Sequence, residues 1–238
     1  LTSLSLPPFN YVVINFLTFS LFYIFLIKKI EFYKNKRIFF LYGWLFGFGY
    51  FVSNLYWISI SLTFDQNFKF LIPFTIILIP GFLALFYALV AYLFVVLKPN
   101  NNLSSFFLFS LIFGIVEFVR GSILTGFPWN LIAYSFSNQI EILNITSVIG
   151  TYSFNLFCIS LFTSPSIFIL RENKKDISIC VAFLITTMSF YILGSQNLEK
   201  FNNQQVKKLD YKLRILSSNI GIDRFYNNID PITAIEEL

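Results

Sequence analysis

The sequence has no histidine, few cysteines and little charge. Its 238 residues include no His, two Cys and only 12% Asp, Glu, Lys and Arg, whereas soluble domains carry about 25% charged residues. Without His, and without clustered carboxylates, we expect no transition-metal site and no bound cofactor. Cys158 and Cys180 fall in two different apolar segments, so we interpret them as small buried hydrophobic residues rather than as a nucleophile or a disulfide.

The sequence contains long apolar runs. Hydrophobic residues make up 56% of the chain, and a bilayer crossing needs about 20 mostly apolar residues. The sequence has seven long stretches without Asp, Glu, Lys or Arg. One of them is interrupted by Gly126, Pro128 and a run of Ser and Asn, and the other six predict spanning helices. The fold class is therefore an all-α polytopic helical bundle. The uncharged stretches comprise residues 1–27, 38–64, 70–97, 99–116, 121–140, 142–170 and 177–198.

The net charge of +5 does not indicate a nucleic-acid partner, because the basic residues lie between the spans rather than on one soluble face. Lys69 and Arg120 lie at one side of the predicted bundle and nine basic residues at the other, which predicts that the nine mark the cytoplasmic face. We then expect the C-terminal end to be periplasmic and another span to precede the first one. The nine are Lys28, Lys29, Lys34, Lys36, Arg37, Lys98, Arg171, Lys174 and Lys175.

Two charges lie inside the segment Gly114 to Ser135. A charge at membrane depth costs at least a few kcal/mol, so Glu117 and Arg120 are candidate site residues. They are three residues apart and share one helix face. Two interpretations are open: a structural ion pair that fixes the helix end, or a direct contact with a phospholipid headgroup or a substrate amine.

Aromatic residues mark the expected outer end of the bundle. The connection from Gly121 to Asn144 stays apolar, which predicts that it lies in the interface or folds back into the bundle. In it, Pro128 and Trp129 are candidates for a lid over a lipid-access site, or for an interfacial anchor. Tyr56 and Trp57, at the end of the second span, are candidates for the same site or for an ordinary aromatic belt.

Composition changes at Gly194. We predict a transmembrane domain over residues 1–194, a polar linker over 195–211 and the start of a second domain over 212–238. Polar and apolar residues alternate from Lys212 to Ile215, which indicates a strand. One strand cannot bury a core alone, so this second domain is expected to be truncated.

Four motifs in this order resemble the bacterial apolipoprotein N-acyltransferase family. They are GWLFGFGYFVSNLYWISISL, EFVRGSILTGFPWNLIAYS, IGTYSFN and LRILSSNIG, beginning at residues 43, 117, 149 and 213. The resemblance implies a helical membrane domain in the bacterial inner membrane, followed by a periplasmic nitrilase-like (carbon-nitrogen hydrolase) α/β domain.

The same resemblance implies acyl transfer from a phospholipid to the α-amino group of a lipoprotein's N-terminal diacylglyceryl-cysteine. That family uses Glu, Lys and Cys, with the Cys carrying the acyl group as a thioester. The positions of this triad are expected beyond Leu238, so the polypeptide as given is expected to be inactive. Two other classes are compatible with six spans and intramembrane charge: a small transporter, or a membrane scaffold subunit without chemistry of its own.

Overall fold

A computed structural model of the chain describes residues 1–123, 126–170, 175–204 and Arg214. It confirms six helices that are long and apolar enough to cross a membrane. The first five of these spans contain the helices α1 (Val13–Phe32), α2 (Ile38–Leu55), α3 (Ile72–Leu97), α4 (Asn102–Ser122) and α7 (Thr151–Ile169). The sixth is α8 (Lys175–Asn202), and two short helices precede α7: α5 (Ile140–Leu143) and α6 (Thr146–Ile149).

Four short 3₁₀ helices lie in the described residues at the end of the bundle where α1 begins. They comprise Thr2–Ser5, Tyr56–Thr63, Gln66–Leu71 and Ile132–Phe136. The apolar stretch over residues 121–140 does not span, as its Gly and Pro content predicts. Its described part folds onto the bundle, burying Leu131, Ile132, Ala133 and Phe136.

Helices α2 and α3 form the closest pair. A Cβ atom built on Gly43 would lie 2.7 Å from the Ala91 Cβ and 2.8 Å from the Ala88 Cα, and one on Gly47 would lie 2.8 Å from the Tyr87 Cβ. Small residues at this spacing let two backbones approach closely. Ser53, a third small residue of α2, is exposed and takes no part in this contact.

Helix α7 forms the centre of the bundle. It packs against α1, α4 and α8. In its most apolar 18-residue stretch 61% of the residues are buried, against 6% in the corresponding stretch of α8. Phe162 of α7 contacts Phe16 edge-on, with ring centroids 5.0 Å apart, and stacks on Phe136 at 5.7 Å. Cys158 is fully buried, as predicted, whereas Cys180 is only partly buried; both are free.

The last helix extends into the predicted linker. Helix α8 continues to Asn202, through eight residues that composition alone assigns to the linker. The polar residues after Gly194 are compatible with a helix that leaves the bilayer, because 28 residues span about 42 Å against a hydrocarbon core of about 30 Å. Apart from Arg214, the predicted second domain lies outside the described residues.

Candidate functional site

Glu117 and Arg120 form a buried, bidentate ion pair in the last turns of α4. Arg120 Nη2 donates to Glu117 Oε2 at 3.0 Å and Nε donates to Oε1 at 3.3 Å. Both side chains are fully buried. A cation at a helix C-terminus is favourable for the helix dipole, and the paired carboxylate compensates the cost of burying the guanidinium.

Arg120 also holds the loop that follows α4. Its Nη1 donates to the carbonyl oxygens of Phe127, at 2.7 Å, and Trp129, at 3.0 Å. The backbone N–H of Phe127 donates in return to the Arg120 carbonyl at 3.2 Å. The guanidinium carbon lies 5.3 Å from the centroid of the Phe51 ring. Four of the five N–H groups of this guanidinium are therefore occupied by the protein itself.

Tyr50 adds another support to the same loop. Its hydroxyl donates to the Asn130 carbonyl at 2.8 Å. Asn130 has a φ of 57°, a left-handed conformation that Asn tolerates better than most residues. Deeper in the loop, the Ala133 N–H donates to the Oδ1 of Asn155 in α7 at 3.0 Å. Side chains from three spanning helices thus fix the backbone between Phe127 and Ala133.

The loop forms one wall of a cavity of about 950 Å³ at the outer end of the bundle. Pro128 and Trp129 lie on this wall, and Tyr56 and Trp57 lie on the wall beside it. The indole rings of Trp57 and Trp129 meet edge-on, with centroids 5.7 Å apart. The structure therefore brings four of the six candidate residues together around one space.

Glu117 and Arg120, the other two candidates, do not line the cavity. They lie beneath the loop, and Arg120 reaches the cavity wall only through its hydrogen bonds to the loop carbonyls. In this position the two side chains pair with each other and are closed off from the surface. It leaves Arg120 with little capacity to bind a headgroup directly.

The remaining wall comes from the N-terminal segment. Leu4, Pro7 and Phe9 line the cavity, and two side-chain hydrogen bonds attach this segment to the bundle. Ser3 Oγ donates to the Tyr50 carbonyl at 3.4 Å, and Ser137 Oγ donates to Asn10 Oδ1 at 3.2 Å. The sequence motifs do not predict that the N-terminal segment forms this wall or that Tyr50 contacts the loop. The one signal for Tyr50 is a hydroxyl-bearing residue within a mostly apolar segment.

The described side chains that line the cavity are neutral. Their polar groups are hydroxyls, amides and indoles, and none of these described lining residues is Asp, Glu, Lys or Arg. Burial, and more weakly the charge of Tyr152, raise the pKa of the Tyr134 phenol on its wall, while Arg120 lowers it. Tyr134 therefore stays a neutral hydrogen-bonding group at physiological pH. Such a lining suits an uncharged or zwitterionic amphiphile better than a free anion. Its described residues with polar side-chain groups are Ser3, Ser53, Asn54, Tyr56, Trp57, Trp129, Asn130, Tyr134 and Ser137.

Comparison with known proteins identifies relatives across most of the chain. Residues 1–163 match the family model for the apolipoprotein N-acyltransferase N-terminal domain. An apolipoprotein N-acyltransferase of Rhodopseudomonas palustris is 32% identical over 232 residues, which cover 95% of this chain and 42% of the relative. The enzyme of the same name from Brucella melitensis is 37% identical over 126 residues, 52% of this chain and 24% of the relative.

A third relative, from Rickettsia bellii, is 31% identical over 180 residues, which cover 75% of this chain and 35% of that apolipoprotein N-acyltransferase. The chain thus spans less than half the length of the relatives it matches. Together with the six apolar spans, the match describes a multi-pass protein of the bacterial inner membrane. The chain belongs to the apolipoprotein N-acyltransferase family and corresponds to its N-terminal membrane region.

Proposed function

We propose that this chain is the membrane part of an enzyme that transfers an acyl chain from a phospholipid to the N-terminal diacylglyceryl-cysteine amine of a lipoprotein. In this proposal the outer cavity receives the polar end of a lipid substrate and presents its ester to a catalytic domain above the membrane. The observation that carries it is the cavity of about 950 Å³ that joins Tyr56, Trp57, Pro128 and Trp129 in a chain of this family.

The chemistry of the cavity supports a binding role rather than a catalytic one. Its walls offer hydroxyl, amide and indole donors, which suit phosphate and ester oxygens, and aromatic faces, which suit glycerol and methylene groups. Among the described residues that line the cavity there is no Cys, Asp or Glu that could act as nucleophile or base, and Cys158 is buried inside the bundle. We therefore assign the acyl-thioester step, in which a Cys thiolate displaces the lysophospholipid alcohol, to the nitrilase-like domain whose start we place over residues 212–238.

The proposed topology puts the cavity on the periplasmic side. The end of the bundle opposite the cavity carries the predicted cytoplasmic bases, such as Lys28 and Lys29 at the end of α1, and the cavity end carries the exposed rings of Tyr56, Trp57 and Trp129. Interfacial aromatics and cytoplasmic bases are the usual arrangement for a protein of this membrane. A periplasmic lipoprotein substrate would then reach the cavity from outside.

The proposal predicts that Trp129→Ala, in a full-length enzyme carrying this region, lowers acyl transfer roughly tenfold or more, equivalent to about 1.4 kcal/mol of transition-state stabilisation. Trp129 lines the cavity and supports Trp57, so its loss opens the binding surface. Transfer is measured as conversion of a diacylated to a triacylated lipopeptide, at equal levels of membrane-inserted protein.

Phe70→Ala is the matched control. Phe70 is an exposed aromatic residue at the same end of the bundle, 67% accessible, and it is not among the residues that line the cavity. A general interfacial role for aromatic residues predicts equal effects of the two substitutions. Equal transfer by the Trp129→Ala and Phe70→Ala proteins would refute the proposed role of the cavity.

A further inference from the structure

Basic side chains gather at the end of the bundle opposite the outer cavity. The ten residues 28–37, which close α1 and connect it to α2, contain five basic residues and one acidic residue. The connection between α3 and α4 at the same end, residues 98–101, contains one basic residue. We name residues 28–37 the basic turn. Its bases are Lys28, Lys29, Lys34, Lys36 and Arg37, and its acid is Glu31.

The charges of the basic turn face outward. Every base of the turn except the partly buried Lys29 is exposed, and so is Glu31. In the part of the chain that the structure describes, no ion pair joins a base of the turn to an acidic side chain. The turn therefore presents positive charge that the described residues do not neutralise.

The backbone of the turn has a defined shape. Asn35 Oδ1 accepts a hydrogen bond from the Arg37 N–H at 3.1 Å, and the Asn35 carbonyl accepts one from the Ile38 N–H at 3.4 Å. The ring of Tyr33 meets the ring of Tyr42 in α2 edge-on, with centroids 6.2 Å apart. The bases are thus carried on a fixed backbone, so a ligand that binds them need not order the turn first.

Three aromatic rings surround the ammonium group of Lys29. Its Nζ lies 5.7 Å from the ring centroids of Phe32 and Tyr33 and 5.9 Å from that of Phe25, which is within the range of a cation–π contact. The Phe32 ring is 75% exposed at the end of α1. Aromatic rings at the end of a spanning helix favour the level of the lipid headgroups. The rings therefore hold a positive charge at the depth of the lipid phosphates.

This combination of groups favours the headgroup of an anionic phospholipid as the occupant. Such a lipid brings phosphate oxygens to the bases and glycerol and methylene groups to the exposed rings. A nucleic acid or an acidic soluble protein would meet the same charges but would leave Phe32 in contact with lipid only. Clusters of Lys and Arg directly beside a spanning helix are attracted to anionic lipid for this reason.

We infer that the basic turn binds the phosphate headgroup of an anionic phospholipid in the leaflet opposite the outer cavity. This site lies at the other end of the bundle from the cavity and is independent of the proposed function. Helix α1 packs mainly against α7, whereas α2 packs against α3. A lipid bound at the turn therefore holds together the ends of two helices that have different partners.

Titration with cardiolipin, an anionic phospholipid with two phosphates, tests the inference. Binding to the detergent-purified full chain is followed by native mass spectrometry, and we expect it to saturate. Each Lys or Arg near an anionic surface strengthens the attraction about fivefold. The double variant Lys34→Gln, Lys36→Gln should therefore bind cardiolipin on the order of 25-fold more weakly. Glu31→Gln, which removes the one acid of the turn, should instead bind it more tightly.

The double variant Lys69→Gln, Lys200→Gln is the matched control. It makes the same two substitutions and the same change of net charge, at exposed lysines that lie outside the basic turn. We expect its affinity for cardiolipin to stay within about twofold of wild type, because surface charges more than a Debye length from the lipid are screened. Equal weakening by the two double variants would overturn the inference.

A measurement on the unaltered chain guards against variants that are poorly produced. Lysines are acylated with an N-hydroxysuccinimide ester, with and without cardiolipin, and the modified peptides are quantified by mass spectrometry. Cardiolipin should slow the modification of Lys34 and Lys36 severalfold and leave that of Lys69 and Lys200 unchanged. Equal protection of all four lysines, or cardiolipin binding that does not saturate, would contradict a site at the turn. Neither readout depends on acyl transfer.

Discussion

Replacing Arg120 with methionine is expected to destabilise the folded bundle by about 3–5 kcal/mol, the usual cost of removing one partner of a buried ion pair. Glu117 would remain fully buried without its countercharge. The carbonyls of Phe127 and Trp129 would lose their donor as well. We expect this to be the largest effect of any single substitution at the candidate site.

The buried thiol of Cys158 offers a readout of unfolding. In a Cys180→Ala background, Cys158 is the remaining cysteine and is fully buried, so a thiol-reactive dye labels it only when the bundle opens. The midpoint of labelling against temperature, in protein reconstituted in nanodiscs, compares the variants.

A double-mutant cycle with Glu117→Gln separates the ion pair from the loop contacts. The double variant Glu117→Gln, Arg120→Met carries no buried charge, so it should be less destabilised than Arg120→Met alone, with a coupling of about 1–3 kcal/mol. Additive effects of the two substitutions would show that the ion pair is not energetically coupled. An Arg120→Met protein that opens at the wild-type temperature would contradict the structural role altogether.

Gly43→Leu is expected to prevent the tight packing of α2 on α3. A Cβ atom at Gly43 would lie against the Tyr87 carbonyl oxygen, with Ala88 and Ala91 also closer than van der Waals contact allows. Two of these contacts are backbone atoms that cannot move aside by changing rotamer. Overpacking in a core costs about 1–3 kcal/mol, and more where backbone must shift. The recovery of monodisperse protein after detergent extraction measures the effect.

Gly49→Leu provides the control in the same helix. The substitution is identical, but a side chain at Gly49 meets open space, so folded protein should be recovered at close to the wild-type level. If the two variants are recovered equally, the close approach of α2 and α3 at Gly43 does not contribute to folding.

The spanning helices were predictable because one physical requirement dominates them. A backbone inside the lipid must form all its hydrogen bonds within a helix, and that helix needs about 20 mostly apolar residues to cross the bilayer. Each span is therefore visible in the sequence as a long uncharged run, such as the one before Lys98. The end of α8 was not predictable in this way. Once a helix leaves the bilayer, polar residues such as Asn197 and Glu199 are compatible with both a helix and a linker.

The candidate site was predictable in its residues but not in its geometry. The three-residue spacing of Glu117 and Arg120 is enough to predict their pairing. Nothing in that spacing shows that the guanidinium also binds the carbonyls of Phe127 and Trp129. Those contacts depend on how the loop folds back, which is determined by distant residues such as Tyr50 and Asn155.

The contact between α1 and α7 has a consequence for biosynthesis. Ser20 donates a hydrogen bond to the carbonyl of Phe162 at 3.1 Å, across 142 residues of sequence. At roughly 5–20 residues per second, the ribosome completes Phe162 on the order of 10 s after Ser20. The hairpin of α2 and α3 can assemble as soon as it is inserted, whereas the contacts of α1 with α7 form only after α7 has been made. A substitution that delays the insertion of α7 would therefore prolong the time for which α1 lacks its contacts with α7.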